Sequence, residues 1–129
     1  MTTDALRYLG RDARDPITAD ALDTVPAPPG LRTVTVDTAE LTAICPVTGQ
    51  PDLYHATVTY EPNGLIAESK ALKLYLVGFR DHGIMCEHLA DRIAADLAPV
   101  LRAPVTVTLR QQVRGGLVIT ATAERTPDA

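Results

Sequence analysis

The sequence predicts an α+β domain: an antiparallel four-stranded sheet with two helices on one face, in the order ββααββ. Three observations predict it. Two alternating segments come first, two segments of helical spacing follow, and two more alternating segments close the chain. Each pair of alternating segments is joined by a short stretch of turn formers, which favours antiparallel pairing. The two helical segments are adjacent, so both can lie on one side of the sheet.

The elements follow in order. LRTVTVD alternates, with Val34 and Val36 on one face and Thr33 and Thr35 on the other. The chain then passes through ELTAIC into the turn ICPVTGQPD. LYHATVTY alternates again, with Ala56, Val58 and Tyr60 set against Thr57 and Thr59. EPNG is a turn. In SKALKLYLVGFRDHG, Leu72, Leu76 and Phe79 form one stripe, and Gly83 is the expected stop. In CEHLADRIAADLAPVL, Leu89, Ile93 and Leu97 recur at helical spacing, with an end expected near Pro99. PVTVTLRQQV alternates, RGG turns, and LVITATAE alternates once more. Residues 1–30 are polar and Pro-rich and read as an arm, with a short helix around Leu6 to Leu9. Residues 31–124 read as the domain and 125–129 as a frayed tail.

Composition narrows the function. A chain of 129 residues suits one domain. Hydrophobic residues make up 46% but aromatics only 4%, so the core is aliphatic. A net charge of −4 argues against a protein that grips a nucleic-acid backbone. No apolar run approaches the ~20 residues of a membrane span. The start of the chain lacks a basic stretch followed by an apolar one. The expectation is a cytoplasmic protein with no membrane partner and two reduced cysteines. A four-stranded sheet has two free edges that must be protected or paired. A homo-oligomer is therefore expected.

Three stretches could carry chemistry. Cys45 closes a strand and opens a stiff turn that ends at Asp52. It is either a small apolar strand-end residue or a nucleophilic thiol. Asp52 is either a turn former or the proton donor that such a thiol needs. In ESKALK, Ser69 is a candidate helix cap, and Lys70 and Lys73 share a helix face that could solvate or bind phosphate. No standard nucleotide loop is present. In HGIMCEH, the spacing of His82, Cys86 and His88 fits no usual zinc site, so no metal is expected. Glu87 is a helix-dipole partner or, in a cleft, a carboxylate that takes two parallel N–H bonds from a purine-like edge.

Taken together, these stretches resemble the NADPH-dependent 7-cyano-7-deazaguanine reductases, the nitrile reductases of queuosine synthesis. The resemblance is to the short, single-domain form and spans roughly Leu41 to Gly116. It rests on Cys45 to Asp52 (CPxTGQPD), Glu68 to Tyr75 (ESKxLKxY), Phe79 to Gly83 (FRxHG), Glu87, and Arg114 to Gly116 (RGG).

The resemblance implies the tunnelling fold, in which subunits close an oligomeric barrel with sites between them. It implies that Cys45 attacks the nitrile carbon to form a thioimide and that Asp52 protonates the nitrile nitrogen. It implies a deazapurine pocket that includes Ala67, Glu68, Ser69, Cys86 and Glu87, with Glu87 as anchor. Lys70, Lys73 and Arg114 resemble the NADPH contacts. The family usually has His where this chain has Cys86, and the missing imidazole removes a hydrogen bond or a proton relay. Three rivals stay open: a related amidine-forming enzyme without NADPH, a non-catalytic ligand-binding module, and a structural oligomer.

Overall fold

The computed structural model describes residues 6–9 and 15–128. Six strands and two helices follow in chain order: β1 (Thr24–Pro26), β2 (Val34–Ile44), β3 (Pro51–Tyr60), β4 (Leu65–Ala67), α1 (Ser69–Val77), α2 (Cys86–Leu101), β5 (Val105–Gln111) and β6 (Thr120–Arg125). The main sheet is antiparallel with order β2-β3-β5-β6, which leaves β2 and β6 as edges. Strands β1 and β4 make a separate two-stranded ribbon.

Alternation decides which face is buried. On β3, Asp52, Tyr54, Ala56, Val58 and Tyr60 point inward; on β5, Val105, Val107 and Leu109 do the same. They meet Leu89, Ile93, Leu97 and Leu101 of α2 and Leu72 and Leu76 of α1 in one core. Both helices therefore cover the same face. The opposite face carries most threonines of β2, β3, β5 and β6, while Thr38, opposite Ala56, turns to the helix side.

Four stretches differ from the sequence reading. Helix α1 stops at Val77, well before Gly83. Past it, the amides of Phe79 and Arg80 bond three residues back instead of four, and the chain then straightens. Helix α2 runs through Pro99 and ends at Arg102, which takes the left-handed conformation with φ 56°. Pro99 sits exposed in the last turn, where it removes one bond without breaking the helix.

The third is the arm. Residues 1–5 and 10–14 of it lie outside the described residues. Leu6 to Leu9 form bends and a turn, not a helix. The buried Asp23 carboxylate accepts the backbone N–H groups of Arg7 and Tyr8 and the Arg7 Nε, which fixes the bend. Leu22 enters the core, and β1 pairs with β4, so this segment is packed structure. The fourth is the end of the chain: Arg125 belongs to β6 and makes two 2.8 Å bonds to Asp91 on α2.

Candidate active site

The β2–β3 hairpin sets the first two groups. Its register pairs Ala43 with Asp52 and Ile44 with Pro51. The loop between the strands is closed by Cys45 N–H to the Gln50 carbonyl and Gly49 N–H to the Cys45 carbonyl, both 2.9 Å. Gly49 has φ 74°, which a side chain would strain. Cys45 is the first residue past β2, and Asp52 is the second residue of β3, so both stand at the end of the hairpin.

The loop also activates the thiol. The Thr48 hydroxyl bonds the sulfur, the backbone N–H groups of Thr48 and Val47 add to it, and the Arg114 charge helps. Against a small desolvation cost, they lower Cys45 from 9.0 to about 7. Near neutral pH a large share of this thiol is thiolate, the nucleophilic form.

Arg114 ties the two groups together. It is carried to the hairpin end by a two-residue turn, with Arg114 and Leu117 bonded to each other both ways at 3.0 Å. Gly115 and Gly116 have φ of 56° and 83°, the pair of positive values that such a turn requires. The guanidinium donates to Asp52 Oδ1 through Nη1. Through Nη2 it donates to Thr48 Oγ1 at 2.9 Å and to Gln50 Oε1 at 2.8 Å. Gln111 Nε2 also donates to Asp52, at 3.0 Å.

The start of α2 arrives at the same end. Ile44 pairs with Gly83 in a parallel bridge, through Ile44 N–H to the His82 carbonyl at 2.9 Å and Ile84 N–H to the Ile44 carbonyl at 3.0 Å. Cys86 and Glu87 follow in the first turn of α2. Cys86 is buried, and burial first, then the charges of Glu87 and Asp52, push its thiol up to about 11. Cys86 is therefore a poor nucleophile, and both cysteines are free thiols. Glu87 is exposed at the mouth of this group.

Residues 51–129 match the family model described as QueF-like protein. The chain is 42% identical to the NADPH-dependent 7-cyano-7-deazaguanine reductase of Syntrophus aciditrophicus, over 92% of this chain and 85% of that one. It is 43% identical to the protein of the same name from Frankia casuarinae, over 80% and 83%. The chain belongs to the family of NADPH-dependent 7-cyano-7-deazaguanine reductases. Its fold matches an archaeosine synthase QueF-Like crystal structure in the apo form, with TM-score 0.68 over 74% of this chain and 94% of that one at 22% identity.

The remaining reductase candidates lie elsewhere. A cleft of about 500 Å³ between β2 and α1 is lined by Val36, Leu41, Ala67, Ser69, Leu72 and Lys73. Cys45, Asp52 and Glu87 are not among its walls. The single chain thus holds two clusters and does not join them. Glu68 is turned inward: it is the cap of α1, in place of Ser69, with its carboxylate accepting Lys70 N–H at 2.7 Å and Ala71 N–H at 3.2 Å. A buried carboxylate at a helix start serves both the orphan amides and the dipole.

A dinucleotide phosphate fits Lys73, which is exposed on the cleft wall, with Lys70 one turn earlier. Asp37 and Glu40 line the same cleft, on the β2 side. Arg114 fits less well in this arrangement, because its guanidinium is committed to the hairpin end. Among the described residues, no three or more His, Cys, Asp and Glu side chains are grouped to hold a metal ion. No helix there is long and apolar enough to cross a membrane.

The sequence reading missed three members of the site. Thr48 lay in the quoted turn, but nothing in its spacing marked it as the group that activates Cys45. Gln111 is brought to Asp52 only by the β3–β5 pairing. Gln50 lies in the same turn, and its place there was the one available signal.

Proposed function

We propose that this chain reduces the nitrile of 7-cyano-7-deazaguanine to the primary amine of 7-aminomethyl-7-deazaguanine, using NADPH, as a step of queuosine biosynthesis in the cytoplasm. The observation that carries the chemistry is Cys45. Its thiol is lowered to about 7, first by Thr48, and Arg114 links it to Asp52 at the hairpin end. The choice of substrate rests on the names of the relatives.

The Cys45 thiolate adds to the nitrile carbon. A C–S bond forms, one C–N π bond breaks, and the nitrogen takes a proton from Asp52. In the ligand-free chain Asp52 is occupied by Gln111 and Arg114. To deliver a proton Asp52 must be released by Arg114 and take up the proton that the Cys45 thiol gives up, so that thiol plus nitrile gives thioimide with no net change in protons; Arg114 is then available to an incoming phosphate. NADPH, when bound, supplies one hydride for each two-electron reduction, two in all from nitrile to amine. Lys73 and Lys70 hold its phosphates. Glu87 takes the ring N–H and exocyclic amine of the substrate as a parallel pair, and Ala67 and Ser69 wall the pocket.

The chain self-associates in this reading, so that one subunit's Ala67–Lys73 cluster faces the Cys45 cluster of another. Two observations support it. The sheet keeps two open edges, β2 and β6, and the two clusters do not share a cavity within one chain. An interface that joins them completes the site.

Intact mass after incubation with 7-cyano-7-deazaguanine, without NADPH, tests the chemistry. The expected result is a gain equal to one substrate, lost in Cys45→Ala, and oxidation of two NADPH per amine when the cofactor is added. A chain that forms no adduct and oxidises no NADPH overturns the reading.

A further inference from the structure

Tyr54 is 2% exposed, and its hydroxyl is a buried polar atom without a hydrogen-bond partner among the described residues. Leaving a buried donor unpaired costs roughly 1–3 kcal/mol. Phenylalanine would fill the same space without that cost, so the hydroxyl calls for a reason. Its strand partners do not supply one. Leu41 is apolar, and Gln111 gives its amide to Asp52.

The surroundings of the ring point to a ligand. Tyr54 stands two residues from Asp52 on the inward face of β3. Burial raises its pKa well above the ordinary 10; the charges of Asp52, Cys86 and Glu87 raise it further, and Arg114 opposes them. All four belong to the group gathered at the hairpin end. The phenol stays neutral, so it keeps its proton and donates.

We propose that the Tyr54 hydroxyl is a recognition residue of this site, donating to the ring carbonyl of the deazaguanine whose N–H edge Glu87 holds. The inference rests on the function proposed above. The ring's chemistry supplies the acceptor. A guanine-like edge that gives its ring N–H and amine to a carboxylate carries its carbonyl next to that pair, and an acceptor there needs a neutral donor. Cys86, the nearby group on α2, offers only a weak, buried S–H. The Tyr54 hydroxyl on β3 is the unpaired neutral donor. The cover that moves to admit the ring is Arg114, whose side chain is one-third exposed and sits on a Gly-Gly turn.

The test is calorimetric binding of 7-cyano-7-deazaguanine and of its analogue lacking the ring carbonyl, in a Cys45→Ala background that binds without reacting. The parent is expected to bind the carbonyl-free analogue roughly 5- to 10-fold more weakly, the worth of one neutral hydrogen bond. Tyr54→Phe is expected to weaken the natural ligand by a similar factor, to bind the analogue as the parent does, and to melt no lower than the parent. Tyr54→Phe/Cys86→His is expected to recover affinity. Equal affinity of Tyr54→Phe and parent for the natural ligand overturns the inference while the proposed function stands. So does a parent that does not discriminate between the two ligands. A parent that binds neither ligand overturns both.

Discussion

Arg114 donates to Asp52 with one guanidinium nitrogen and to Thr48 Oγ1 with the other, at 2.9 Å, and Thr48 in turn bonds the Cys45 sulfur. One side chain thus bridges the proposed acid and the group that activates the nucleophile, across the mouth of a hairpin. In the proposed reaction this bridge would hold both groups in place, and such positioning is where much of the benefit of a preorganised site arises.

The lowered thiol predicts a pH profile. Thiolate is the reactive form, so the rate of adduct formation should rise about tenfold per pH unit below the thiol pKa and level off above it. The midpoint should fall near the value of about 7 that the loop imposes. Thr48→Val removes the largest cause of that lowering and should move the midpoint upward, towards the ordinary 9.0. Adduct rates by quenched mass measurement across the neutral range check it. A midpoint that stays in place means that the backbone N–H groups, and not the hydroxyl, set the thiol.

Asp52→Asn should fold, bind substrate and form adduct slowly. A positioned acid contributes ~10²–10⁴-fold, and the amide cannot hand over a proton as the thiolate adds. A loss below about threefold would remove Asp52 from this role.

Glu87→Gln should weaken the deazaguanine and leave the NADPH requirement unchanged. A charge-assisted bond to a ring edge is worth about 1.5–3 kcal/mol, or roughly 10- to 100-fold in affinity. Titration of each ligand separately decides it. Equal losses for both would assign Glu87 to the helix start alone.

Subunit mixing tests the shared site. Cys45→Ala and Lys73→Glu damage the two clusters that the single chain keeps apart. If a site takes one cluster from each of two subunits, random co-assembly of the two inactive variants restores about a quarter of wild-type turnover, because half of the subunits carry each intact cluster. If both clusters of a site come from one chain, mixing restores nothing.

The long periodic elements were legible because burial on one face writes itself into spacing. The alternation of Ala56, Val58 and Tyr60, and the stripe of Leu89, Ile93 and Leu97, each placed an element and its buried side. The β1–β4 ribbon was not legible, since three residues are too few to show a period. Nor was the cap of α1. Ser69 is the better cap by type, but Glu68 is the one held at the cap position, where the backbone N–H to the Asp23 carbonyl fixes it at 3.0 Å.

The sequence by itself determined the order along the chain of the main-sheet strands and helices, and it singled out Cys45, Asp52 and Glu87 as candidates for nucleophile, acid and anchor. Those are local properties of spacing and side-chain type. Only the tertiary structure decided which of them meet. The hairpin brought Cys45 and Asp52 to one end, the Ile44–Gly83 bridge brought Glu87 to that end, and the Gly-Gly turn carried Arg114 back to Asp52, 62 residues away in the chain. Tyr54 became visible last, because an unpaired hydroxyl exists only once everything around it has been packed.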